Sequence, residues 1–107
     1  MVYQVVGFQT VRGEDVVESF LKVQPVNTQA RMVRLIDMLK YSPNLGMPYS
    51  KKLQKDLYEL RISGSPAVRI LYTFKGNVVY LLHAFKKKTQ KTPRKEIDMA
   101  LRRLALI

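Results

Sequence analysis

Two arginines, Arg61 and Arg69, have the spacing that points most directly to chemistry. Arg61 lies near the end of one β-rich run, residues 57–62, and Arg69 lies near the start of the next, residues 67–74; the turn sequence SGSP joins the two runs. An apolar face forms when Ile62, Leu60 and Tyr58 lie opposite Val68, Ile70 and Tyr72. A shift by one residue would mix Leu60 with Arg69, so hydrophobic patterning selects the first register. Arg61 is therefore predicted to lie directly opposite Arg69 on the other face, which we call the arginine face.

Like charges that face each other across a β-ladder are normally unfavourable, so this pair needs a reason. Two guanidinium groups one strand apart form a fork for phosphate, because each offers paired donors in a fixed geometry. A simpler reading is that Glu59 lies diagonally near Arg69 and neutralises it. The sequence leaves both readings open.

The turn Gly76-Asn77 predicts how the third β-rich run, residues 78–85, pairs with the second. A two-residue turn pairs Lys75 with Val78, and a regular ladder then places Ala84 opposite Arg69, where a small side chain would leave a hollow. The same ladder puts Tyr80, Leu82 and Lys86 on the arginine face, with Lys87 and Lys88 at its edge. Tyr80 could stack on a base or simply pack on the sheet. His83 falls on the apolar face and is interpreted as a core residue.

The charge is concentrated in the second half of the chain. Residues 1–50 hold five basic and four acidic side chains, whereas residues 51–107 hold fourteen and four, and the formal net charge is +11. Such a field favours polyanions. The densest stretch, KKKTQKTPRK at 86–95, has six basic residues and no acidic one, although a solvated turn and helix start would have a similar composition.

Length and composition exclude several classes of protein. The 107 residues suit one domain, 47% of them are hydrophobic, and Cys is absent, so disulfides, thiolate zinc sites and a cysteine nucleophile are excluded. A single His excludes a multi-His metal site, and we expect no cofactor. With no signal-peptide pattern and no apolar run of ~18 residues, we expect a soluble, cytoplasmic protein.

The expected elements give an α+β order of βααβββα. A strand over 2–8 precedes a short helix with Glu14 and Asp15 at its amino terminus, and Pro25 separates this helix from a second, with its apolar face over 32–39. A loop over 41–49 leads to the three strands. Thr92 is expected to cap a last helix that begins at Pro93.

Several segments resemble the RelE/ParE toxin superfamily. KKLQKDLYELRI, VRILYTF and LLHAFKKKTQKTP, followed by an amphipathic helix, are similar to its phage-derived Gp49-like, HigB-type branch of type II toxin-antitoxin toxins. NLGMPY, LYELR, RILY and the FxKKTQKTP-like stretch stand in family order over almost the whole chain. The resemblance implies a single RelE-like domain over 1–107, with the helices packed on one side of an antiparallel sheet.

The resemblance also implies a function. It is that of a ribosome-dependent, metal-independent mRNA endoribonuclease that inhibits translation and is inhibited by a helix-turn-helix, HigA-like antitoxin. Arg69 is similar to the family's phosphate-stabilising arginine, Lys87 takes the place of a second basic catalytic side chain, and Arg61 is the third expected catalytic residue. Expected RNA-binding residues are Lys51, Lys52, Tyr80, Lys86, Lys88 and Lys91. The chain lacks the tyrosine of RelE after Lys88 and the histidine cluster of some HigB toxins, which leaves the proton-transfer group open.

Three other functions fit the same residues. A ParE-like gyrase inhibitor would share the fold but cut no RNA. A noncatalytic nucleic-acid-binding module would need only the basic half of the chain. The basic surface could also serve to dock an acidic antitoxin, which is compatible with the toxin reading.

Overall fold

The computed structural model describes residues 2–107, and within them the elements follow the order βααββββα. The elements are β1 (Gln4–Gly7), α1 (Val16–Lys22), α2 (Val26–Met38), β2 (Ser50–Gln54), β3 (Leu57–Ile62), β4 (Val68–Lys75), β5 (Val78–Lys86) and α3 (Arg94–Leu104). The α+β class is confirmed, with one strand more than predicted. Strand β2 is an edge strand with exposed Lys51 and Lys52. Charges of this kind protect an edge, and they also hide the apolar alternation by which a strand is predicted.

The five strands form one mixed sheet in the order β1-β5-β4-β3-β2. Strand β1 is parallel to β5, and the other neighbours are antiparallel. The prediction of an antiparallel sheet is therefore wrong at β1. The two helices between β1 and the hairpins return the chain to the far edge of the sheet, and the sequence does not show which edge β1 joins.

The predicted register of β3 and β4 is confirmed. Leu60 pairs with Ile70, and Arg61 pairs with Arg69. On the apolar face, Leu60 and Ile70 are fully buried, and they pack in one cluster with Met32 and other apolar residues of helices α1 and α2. Removal of this apolar surface from water, at about 25 cal/mol per Å2, selects the register and thereby places both arginines on the opposite face.

The prediction that all helices pack on one side is wrong, because α3 covers part of the arginine face. Ala100 of α3 is fully buried in a second apolar cluster with Leu71 and Leu82 of the sheet. The arginine face is thus apolar towards β5, where the amphipathic helix α3 needs a partner, and basic towards the β3–β4 turn. This division leaves the arginines uncovered by α3.

A bulge in β5 changes the predicted pairing after Leu81. The two-residue turn is confirmed, since Lys75 pairs with Val78, and Tyr72 still pairs with Leu81. The ladder then skips Leu82, so that Ala84 pairs with Ile70 and Phe85, rather than Ala84, lies opposite Arg69. A bulge places one extra residue in one strand, and every side chain that follows it changes face. Lys86 is therefore predicted wrongly, because it alternates with Phe85 and points away from the arginine face.

The structure tests the helix starts that were expected from the sequence. Asp15 lies at the amino terminus of α1 as expected, and it also caps the helix by accepting hydrogen bonds from the amides of Val17 and Glu18, both at 3.0 Å. Thr92 does not cap α3: the helix begins at Arg94 after Pro93, which provides no side-chain cap.

None of the helices within residues 2–107 has the length and apolar character to cross a membrane.

Tyr72 links the sheet to the loop that follows α2. Its fully buried hydroxyl donates to the carbonyl oxygen of Pro43 at 2.7 Å. Burial raises the pKa of Tyr72 to about 12, while its hydrogen bond with Ser50 acts in the opposite direction. Since the folded protein holds this proton more tightly than the unfolded chain, whose tyrosines titrate near about 10, stability should fall as the pH rises from about 10 to about 12.

We expect Tyr72→Phe to remove this part of the alkaline loss. The wild type should lose about 2 kcal/mol more than the variant between about pH 9 and pH 12, because phenylalanine has no proton to release. Urea unfolding of both proteins at the two pH values measures the difference. Equal losses in the two proteins would contradict the assignment to Tyr72.

Candidate functional site

Arg61 and Arg69 lie side by side on the arginine face, as predicted. The Arg69 residue is 7% exposed, and its Nη1 donates to the carbonyl oxygen of Val68 at 3.0 Å. The Arg61 side chain is 26% exposed, and its Nη1 contacts Sδ of Met47 at 3.5 Å. The backbone of β4 thus holds the Arg69 guanidinium in place, whereas that of Arg61 is accessible to solvent.

Glu59 lies between the two guanidinium groups. Its Oε1 is 3.8 Å from Nε of Arg69 and 3.9 Å from Nε of Arg61, distances that allow ionic attraction but are too long for hydrogen bonds. Its Oε2 accepts a hydrogen bond from the hydroxyl of Thr92. One carboxylate thus faces two guanidinium groups, so Glu59 reduces their positive charge without cancelling it.

Burial has an electrostatic consequence at Arg69. Desolvation lowers the pKa of Arg69, Glu59 opposes this, and Arg61 lowers it further. An arginine keeps its proton in proteins despite such a shift. A buried, charged guanidinium gains more from an approaching anion than an exposed one does, because there is little water to screen the attraction.

The two arginines line a small cavity, which we call the arginine hollow. Its walls are Glu59, Arg61, Arg69, Phe85 and residues 87–93. The hollow has a volume of about 10 Å3, roughly the space for one water molecule, so a phosphate group has to sit at its mouth. Three of the lining residues are lysines, namely Lys87, Lys88 and Lys91.

The structure does not bring every expected RNA-binding residue to the hollow. Lys51 pairs with Glu59, which places it on the arginine face at the edge strand, whereas Lys52 pairs with Tyr58 and therefore faces the other way. Tyr80 lines a different cavity, between β1 and α3. Lys86 points away for the reason given above. The binding roles of these four residues, like those of Lys88 and Lys91, remain predictions.

His83 is on the arginine face rather than the apolar face, because it follows the bulge. Its Nε2 lies 2.8 Å from Glu96 Oε1, and its Nδ1 lies 3.3 Å from Arg103 Nη1, which also donates to the carbonyl oxygen of Leu82 at 2.8 Å. Burial lowers the pKa of Arg103. Both imidazole nitrogens have protein partners, so His83 ties α3 to β5 and does not present a free nitrogen to the hollow.

The sequence did not predict the Thr92–Glu59 hydrogen bond or the position of His83. Thr92 reads as a helix cap, and its bond to Glu59 joins residues 33 positions apart. The position of His83 depends on the bulge, for which no glycine or other local signal exists in VVYLLHAF. The one signal for Glu59 is its place two residues before Arg61, and its position near Arg69, which the sequence leaves open, is observed in the structure.

Comparisons with known proteins bear on the family and the fold of the chain. The sequence profile described as phage-derived Gp49-like protein (DUF891) matches residues 19–105. Among solved structures, the chain is similar to the Escherichia coli toxin RelE, in a double arginine-to-alanine mutant in the free state. The TM-score is 0.68 at 14% sequence identity, over 97% of this chain and 99% of that one. None of the curated proteins matches the sequence.

Proposed function

Because the chain belongs to the family of phage-derived Gp49-like proteins, which have the fold of RelE toxins, we propose that it is the toxin of a type II toxin-antitoxin module. Its proposed activity is cleavage of mRNA on the ribosome without a metal ion. The observation that carries the proposal is the arginine hollow, where five basic side chains of three segments meet around a single carboxylate. A surface that merely solvates charge would not bury Arg69.

The chemistry needs no group from outside the RNA to attack. The 2′-hydroxyl of one nucleotide loses its proton and attacks the adjacent phosphorus, the bond to the 5′-oxygen breaks, and the departing oxygen takes up a proton. The products are a 2′,3′-cyclic phosphate and a free 5′-hydroxyl. Negative charge grows on the phosphate oxygens in the transition state. Donors that are already in place stabilise this charge without reorganisation.

The residues of the hollow divide this work. Val68 and Glu59 fix Arg69, which provides a preorganised positive charge beneath the phosphate. Arg61 and Lys87 approach the same phosphate from the sides. Lys87 is the candidate for proton transfer, since His83 is occupied by Glu96 and Arg103.

The proposed partner is a helix-turn-helix antitoxin of the HigA-like type. Its acidic residues would cover the mouth of the hollow, where Lys87, Lys88 and Lys91 gather. Such a complex blocks access of RNA phosphate, so docking of the antitoxin and inhibition are the same event.

The test is a reconstituted translation reaction with a defined mRNA, with and without ribosomes. We expect cleavage within the translated region when ribosomes are present, with 5′-hydroxyl ends that a polynucleotide kinase can label. Intact mRNA together with gyrase-dependent DNA breaks would favour the ParE-like alternative. RNA binding without cleavage in either reaction would favour the noncatalytic module.

A further inference from the structure

A second group of arginines lies at the corner of the sheet next to the arginine hollow. A cavity of about 180 Å3 opens between α2, the residue before β2 and the end of β3. Its lining includes Arg31, Arg34, Met38, Tyr49, Arg61 and Ser63. Arg61 lines both cavities, so the two cavities adjoin at this residue.

The charges of this corner are not compensated within the described chain. None of the ion pairs among residues 2–107 includes Arg31 or Arg34. Asp37 lies one turn after Arg34 in α2, and its Oδ1 forms an ion pair with Nζ of Lys40 at 2.9 Å. The Nε of Arg31 is buried and has no hydrogen-bond partner in residues 2–107. Buried donors of this kind are rare in folded proteins, whereas the exposed Arg34 offers its donors to the cavity directly.

The guanidinium of Arg31 is held in place by the β3–β4 turn. It packs directly on the backbone of Gly64, where a side-chain carbon would overlap Nη2. Its Nη2 also lies 3.5 Å from the hydroxyl oxygen of Thr28. Gly64 has a φ of 137°, a conformation that favours glycine. The same turn leads into Arg69, so the position of Arg31 is tied to that of the hollow.

We propose that Arg31, Arg34 and Tyr49 form a second subsite, which binds the phosphate and base of a neighbouring nucleotide of bound RNA. This inference rests on the proposed function, because it takes the arginine hollow as the first phosphate site. An RNA strand whose reacting phosphate lies at the hollow passes Arg61 and reaches the corner cavity with its next phosphate. Tyr49 is 47% exposed, and its ring offers a surface for base stacking.

The experiment compares Arg34→Ala with Arg12→Ala. Both arginines are exposed, but Arg12 lies in the turn before α1, away from both cavities. The probes are 2′-O-methyl RNAs, which cannot be cleaved: a dinucleotide with one phosphate and a hexanucleotide. We expect both variants to bind the dinucleotide as the wild type does. Only Arg34→Ala should bind the hexanucleotide more weakly than the wild type. The slope of log K against log salt concentration should be smaller in magnitude by about 0.7 for Arg34→Ala than for the wild type, which is the value for one phosphate contact on a single strand.

Several outcomes decide the inference. Equal binding of the hexanucleotide by the two variants would overturn it. A loss of affinity for polyglutamate with unchanged RNA binding would also overturn it, in favour of an acidic protein partner. A loss that occurs only in cosedimentation with ribosomes, with equal binding of the hexanucleotide, would likewise overturn it, in favour of a contact with ribosomal RNA.

Failure of the inference can be separated from failure of the proposed function. Arg69→Lys is measured on the dinucleotide in parallel. If Arg69→Lys weakens dinucleotide binding while Arg34→Ala changes nothing, the hollow stands and the second subsite falls. If neither variant affects any RNA, the hollow itself is not a phosphate site. Thermal unfolding of each variant confirms that a folded protein was tested.

Discussion

Arg69→Lys should lower the rate of ribosome-dependent mRNA cleavage at least about 100-fold, the loss seen when one preorganised charge-stabilising donor is removed. Lysine keeps the positive charge beside Glu59 but loses the planar fork that bonds Val68 and faces the phosphate. The measurement is single-turnover cleavage of mRNA on stalled ribosomes. Arg12→Lys, the same change at an exposed position, should retain the wild-type rate.

Lysine is a more informative substitution than alanine because Arg69 is buried beside Glu59. Arg69→Ala would leave Glu59 buried beside one arginine instead of two, and a loss of activity could then reflect a loss of folding. A folded Arg69→Lys protein that cleaves at the wild-type rate would contradict the central role of this guanidinium. The melting temperature of Arg69→Lys, measured beside the kinetics, establishes that the protein is folded.

Glu59→Gln should destabilise the protein by about 3 kcal/mol, as expected when one partner of a buried ionic group is removed. Glutamine can still accept the bond from Thr92, but Arg61 and Arg69 would then face each other without a counter-charge. Urea unfolding measures the loss. The matched control is Glu18→Gln, which breaks an exposed pair with Lys22 and should cost less than about 1 kcal/mol.

The same substitution separates two roles of Glu59. If Glu59 moderates the field of the hollow, Glu59→Gln should bind RNA more tightly than the wild type despite its lower stability. Unchanged stability and unchanged RNA affinity would together show that Glu59 has neither role. Binding is measured at a temperature where both proteins are fully folded.

The parts of the fold that were predictable are those that local patterning determines. The β3–β4 register follows from six apolar side chains that can share a face in a single way, and the pair Arg61 and Arg69 follows from it. The acidic amino terminus of α1 follows from the favourable interaction of Glu14 and Asp15 with the helix dipole. Each of these features involves residues close in sequence, where few alternatives compete.

The parts that were missed depend on contacts between distant segments. The edge chosen by β1 and the face chosen by α3 are set by which apolar surfaces remain uncovered once the hairpins have formed. At the bulge, Leu82 and Ala84 are both apolar, so either register buries them and the sequence does not distinguish the two. The bond between Thr92 and Glu59 depends in turn on where α3 packs.

The extra residue in β5 decides whether Lys86 or Lys87 lies on the arginine face. A regular strand would direct Lys86 to the arginine face, whereas the bulge at Leu82 directs Lys87 there. Relatives whose strand is regular would bring the lysine one position earlier to the same place. An alignment that matches lysines by their order in the run, without locating this irregularity in each chain, would therefore equate residues that point to opposite sides of the sheet.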